Sequence, residues 1–84
     1  MGAKTSVAGA PLADGVMESY LGKVIEFARR DSRFDLCLDY YICERRKHPV
    51  DPTPVQWAVV ERVRNIFAQR PDLQPAFCKR LTGG

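Results

Sequence analysis

The chain has 84 residues, 45% hydrophobic and 27% charged, with a formal net charge of +3. That composition suits one small globular domain and excludes wholesale disorder or a second domain, while the positive balance favours acidic partners such as anionic lipids or nucleic acid. Three cysteines, an odd number without framework spacing, argue against a disulfide scaffold and for a reducing compartment.

The first six residues, Met1-Gly2-Ala3-Lys4-Thr5-Ser6, fit the M-G-x-x-x-[ST] pattern, in which the initiator Met is removed and Gly2 is myristoylated. Gly2 is the candidate lipidation site; its other reading is a cloning remnant. Residues 1–13 are small and weakly patterned, so they are expected to form a flexible arm ahead of a single helical domain over 14–84. No apolar run is long enough to span a bilayer, and no secretory signal core is visible. Any membrane contact is therefore expected to be peripheral.

The first helix is expected at about 14–30, capped by Asp14, with Met17, Tyr20, Leu21, Val24, Phe27 and Ala28 on one face. Arg29 and Arg30 complement its C-terminal dipole. Ser32-Arg33-Phe34-Asp35 reads as a capping-box-like start to a second helix, about 33–47. Its apolar residues, from Phe34 to Cys43, nearly encircle it, which predicts the central helix of the bundle. His48 to Pro52 cannot continue it, because proline lacks a donor and restricts its predecessor.

Thr53-Pro54-Val55-Gln56 is a capping box with Pro at the first helical position, which starts a third helix at about 54–70. Its expected apolar face is Val55, Val59, Val60, Val63, Ile66 and Phe67, with Trp57 on an edge. Asp72 is expected to cap a short fourth helix, about 72–81, closed by Ala76, Phe77, Cys78 and Leu81. The fold class is thus all-α, a small bundle of three to four helices.

No catalytic or metal constellation emerges. Cys37, Cys43, His48 and Cys78 lack zinc-site spacing and read as buried structural thiols plus a helix-end His. A Cys43–His48 nucleophile pair has no orienting partner. No cofactor motif is present, so the chain is read as a non-enzyme. The basic residues carry more weight: Lys23, Arg29, Arg30, Arg33, Arg45, Arg46 and Lys47 cluster at helix ends. One myristoyl chain binds membranes only marginally, so a second, electrostatic signal is needed for stable anchoring. These residues are the candidate headgroup patch, each adding about 1 kcal/mol near an anionic leaflet. Candidate partners are anionic membrane lipids, a second copy of the chain, and nucleic acid as a competitor for the same charges.

Met1-Gly2-Ala3-Lys4-Thr5-Ser6-Val7 resembles the start of primate lentiviral Gag, typically M-G-A-R-x-S-V. The middle is similar to the betaretroviral type of Gag matrix domain, in which an aromatic-rich helix leads through a proline turn into a helix bearing W-x-x-V. Here those parts are Phe34–Lys47, His48–Pro54, and Trp57 with Val60. The resemblance implies a non-enzymatic domain that carries the Gag polyprotein to the cytoplasmic face of the host plasma membrane, through myristate and a basic patch, and supports virion assembly. It departs from the lentiviral pattern in lacking a lysine-rich stretch after the arm, since residues 8–20 carry no positive charge. Two other readings stay open: a soluble helical protein-interaction adaptor and a basic nucleic-acid-binding bundle.

Overall fold

A computed structural model describes residues 13–82. Four helices follow one another: α1 (Asp14–Arg30), α2 (Ser32–Tyr41), α3 (Pro54–Gln69) and α4 (Leu73–Leu81). No strand occurs among the described residues. The expected arm, with Gly2, lies outside the described residues except for Ala13.

α1 runs between its expected bounds, but its cap differs. Ala13 holds the N-cap position without a side-chain bond, and Asp14 is the first helical residue. The Asp14 carboxylate instead pairs with Arg70 Nη1 at 2.7 Å, tying the start of α1 to the end of α3. Met17, Leu21, Val24, Ile25 and Ala28 are buried, whereas Phe27 remains 44% exposed.

The expected Ser32 cap gives way to Asp31. One residue both ends α1 and starts α2. Asp31 Oδ1 accepts from the Arg33 and Phe34 backbone N–H groups at 3.1 and 3.2 Å. Its extended backbone (φ −137°) turns the chain sharply enough for Phe34 to enter the core.

α2 ends six residues earlier than expected, at Tyr41 instead of Lys47. The Ile42 and Cys43 N–H groups both reach back to the Leu38 carbonyl, and Arg45 N–H takes Asp39 O at 2.9 Å. Glu44 sits in the left-handed region at φ 56°. No Gly or Pro marks this stop, which is why periodicity overran it.

The shortened α2 is not the central helix. α1 packs against all three others. α2 buries only Phe34, Cys37 and Leu38, because Tyr40, Tyr41 and Leu36 are left half-exposed around its short barrel. Most of the core comes from α1 together with Val60, Val63, Ile66 and Phe67 of α3 and Phe77 and Leu81 of α4. The Phe67 and Phe77 rings meet edge to face at 5.5 Å, an arrangement favoured by the ring quadrupoles.

α3 begins as expected. Thr53 Oγ1 accepts from Gln56 N–H, and Gln56 Oε1 accepts from Thr53 N–H, a reciprocal box. Val55 is 72% exposed, since the first turn of α3 extends past the core. Ala76 is likewise exposed on α4. Asp72 occupies the N-cap position of α4 but makes no cap bond, because both its oxygens accept from Arg70, at 2.9 and 2.7 Å.

The cysteine reading also needs correction. Cys43 and Cys78 form a disulfide across 35 residues, with Cα atoms 5.7 Å apart. Cys37 alone is a free, buried thiol. An odd count without framework spacing leaves room for one bond and one spare, and only the packing of the segment after α2 against α4 picks the pair.

Candidate functional site: a basic end of the bundle

The early end of α2 gathers positive charge at one end of α4. The chain reverses at Glu44 and aims Arg45 back across α4, where its Nη1 donates to the Cys78 carbonyl at 3.0 Å. The same guanidinium forms an ion pair with Asp39. From the last turn of α1, Arg29 Nη2 reaches the Arg80 carbonyl at 3.5 Å. The last turn of a helix carries its negative dipole end, so both arginines meet favourable acceptors there, even though Thr82 N–H also reaches these carbonyls. Lys79 and Arg80, on the same turn, are exposed and basic. Arg29, Arg45, Lys79 and Arg80 therefore meet at the last turn of α4, although the Arg45 charge is paired with Asp39 and the Arg80 guanidinium extends from that turn to Gly22 of α1.

The other sequence candidates are spread more widely. Lys23 is exposed midway along α1, and Arg30 is exposed at its end. The Arg33 guanidinium is occupied with the Asp51 carbonyl, through Nε at 3.2 Å and Nη2 at 2.7 Å. Lys47 is exposed and Arg46 half-buried, with Arg46 Nε enclosed and without a hydrogen-bond partner among the described residues. Lys79 and Arg80 were missed, although a basic last turn is the same signal that singled out Arg29 and Arg30 on α1.

On the side of α4 facing α1, Arg80 reaches across to Gly22. A Cβ added at Gly22 would stand 4.0 Å from Arg80 Nη2, so the guanidinium lies over the glycine. Beside it, Leu21, Leu73, Phe77 and Glu18 line a shallow groove of about 180 Å³. A second, more polar cleft of about 250 Å³ opens between Tyr41, Glu44, Arg64 and Gln74.

Nearby charges respond to this geometry. Burial lifts the Asp35 carboxyl above its ordinary value, the Asp39 charge adds to the rise, and Arg45 opposes it. Burial raises the Cys37 thiol, with Arg33 pulling the other way. At the far end the hydrogen bond from Arg70 holds Asp72 below its ordinary value. Among the described residues no group of three His, Cys, Asp or Glu side chains is placed to hold a metal ion. Cys43 is bonded to Cys78, so in this state it is not a nucleophile. Among the described residues no helix is long and apolar enough to cross a membrane.

Comparison with protein-family models, with curated proteins and with solved structures finds no match for this chain.

Proposed function

We propose that this domain is a non-enzymatic membrane-targeting module, which binds an anionic inner leaflet through an N-terminal myristoyl group at Gly2 and the basic end of its helical bundle. The observation that carries the reading is the convergence of Arg29, Arg45 and Lys79 at the end of α4, with Arg80 reaching from the same turn to Gly22 of α1. Two of these arginines are held in place by helix carbonyls, so their charge is pre-positioned rather than spread over mobile side chains. A myristoyl chain alone gives an association constant of about 10⁴ M⁻¹. Three or four cations at about 1 kcal/mol each raise that by orders of magnitude. In this reading the chain works as a Gag matrix domain does, at the cytoplasmic face of a host plasma membrane and in the virion, with Lys23, Arg30, Arg46 and Lys47 as outlying contributors.

The test is flotation with phosphatidylserine vesicles after co-expression with N-myristoyltransferase. Wild type gains one myristoyl group and floats. Gly2→Ala loses the group and most of the binding, and Lys79→Glu with Arg80→Glu weakens binding about 100-fold in low salt. Unacylated wild type, or flotation indifferent to both changes, would reject the reading.

A second reading is favoured by one observation. Val16 and Phe27 are 55% and 44% exposed. At 100° per residue they fall within roughly 20° of one line along α1. A protein partner could cover that stripe, as the adaptor reading requires. Val16→Glu and Phe27→Glu would then abolish partner capture and leave vesicle binding intact.

A further inference from the structure

We propose that the Cys43–Cys78 disulfide is a redox clasp, which decides whether the basic segment after α2 is held against the last turn of α4. The structural part of this inference stands alone; its effect on lipid affinity rests on the membrane-targeting reading above.

Residues 42–53 link α2 to α3 without helical structure. Their two ends are fastened differently. At the far end, the buried Cys37 thiol donates to the Val50 carbonyl at 3.4 Å, and Arg33 grips the Asp51 carbonyl. At the near end, three connections reach α4: the disulfide, Arg45 Nη1 to Cys78 O, and Gln74 Nε2 to Ile42 O at 2.7 Å. Only the first is covalent. The Cys78 carbonyl also accepts from Thr82 N–H at 3.3 Å, so Arg45 adds to an acceptor that already has a partner.

The bond lies at the rim of the core and not within it. Cys43 and Cys78 are both half-buried, within reach of a small reagent. α4 keeps its own anchors, Phe77 and Leu81, whichever state the cysteines take. Glu44, next to Cys43, is held in a left-handed conformation that non-glycine residues disfavour, so the freed chain has reason to leave it. Opening the bond thus loosens 42–48 beyond the Ile42 side chain, which stays in the core, while the four helices stay packed.

The chemistry needs a low-molecular-weight thiol. One thiolate attacks a sulfur of the pair, forming a mixed disulfide and expelling the other cysteine as a thiolate, which takes up a proton. A second thiol then cleaves the mixed disulfide. The net change is two protein thiols and one oxidised thiol dimer, a two-electron exchange, and the dimer reverses it. In the dithiol state Arg45 is no longer confined to the last turn of α4, beside Lys79, and the two basic residues that follow it in the chain move with it. A focused patch becomes a dispersed one, and affinity for an anionic surface falls.

The experiment compares the full chain, oxidised and treated with a phosphine reductant, by amide hydrogen exchange, far-UV circular dichroism and flotation with phosphatidylserine-containing vesicles. Reduction is expected to speed exchange over 42–48 by about tenfold or more, leave the core amides of α1 and α3 protected, and weaken vesicle binding about tenfold. Cys43→Ser should reproduce the reduced state without reductant. Unchanged exchange at 42–48 would overturn the clasp. So would loss of protection in all four helices together, which would make the bond a global staple; wild type under reductant decides this even if the variant fails to fold. Equal vesicle binding in both states would overturn the effect on affinity. Vesicle binding in neither state, with 42–48 still released, would reject the membrane reading and leave the clasp standing.

Discussion

Between α1 and α2 the chain turns on Asp31 alone, whereas between α2 and α3 it takes all of residues 42–53. The short junction is a closed set of hydrogen bonds. Asp31 Oδ1 caps α2, and Oδ2 accepts from Gln56 Nε2 at 3.2 Å. Gln56 in turn completes the Thr53 capping box. Two helix starts are thereby locked to each other through one buried amide, and Gln56, only 7% exposed, has both ends of its side chain satisfied. The long link is tied to α2 at its far half and, at its near half, also to α4, more than thirty residues further along the chain. One junction is rigid because Asp31 and Gln56 satisfy each other while each also caps a helix start. The other is adjustable because one of the ties at its near half is a reversible bond.

The largest effect expected from breaking this contrast falls on the short junction. Asp31→Ala removes a cap worth about 1 kcal/mol and leaves the Gln56 amide unpaired at a cost of about 1–3 kcal/mol. Urea unfolding should show a loss of about 2–4 kcal/mol, the same with and without reductant. The opposite pattern is expected at the long link. Arg45→Gln should cost about 1 kcal/mol in the oxidised protein and close to nothing in the reduced one, because the carbonyl it grips is then no longer beside it. Equal costs in both states would show that Arg45 holds its place without the disulfide.

Glu44→Gly should add about 1 kcal/mol to oxidised stability by relieving the left-handed residue, partly offset by glycine's freedom in the unfolded chain. Melting temperature reads this directly, and a loss would mean that the Glu44 side chain contributes more than its backbone costs.

The smallest effect is electrostatic and opposes the two ends of the molecule. Asp35, raised by burial and by Asp39, binds its proton more tightly folded than unfolded. Stability therefore grows as pH falls through its folded value towards the ordinary 3.8. Asp72, lowered by Arg70, works the other way: its contribution is complete above the ordinary 3.8 and is lost as pH falls below it. Carboxyl-carbon NMR titration should place Asp35 above that value and Asp72 below it. Arg45→Gln should push Asp35 higher still, and a titration order reversed between the two would contradict the burial argument.

What could be read in advance follows the same division. The Thr53–Gln56 box, the bounds of α1 and the start of α3 were legible because four neighbouring residues, or one uninterrupted apolar spacing, determine them. Asp31 was passed over since half its role is to satisfy Gln56, 25 residues away. The end of α2 was illegible for a stronger reason: Glu44 adopts a conformation its type disfavours, and nothing nearby in sequence announces it. The candidate basic site was half legible. Arg29 and Arg45 stood out as helix-end charges, but only the return of the chain at Glu44 brings Arg45 to Lys79 and Arg80.

The Cys37 thiol, fully enclosed and bonded to the Val50 carbonyl, sets an internal clock. In a reduced sample an alkylating reagent meets the two rim cysteines early and the enclosed one only when the core itself opens. Intact mass would advance by two adducts quickly and by a third slowly. The lag between them times whole-molecule unfolding under native conditions, without denaturant and without a label added by design.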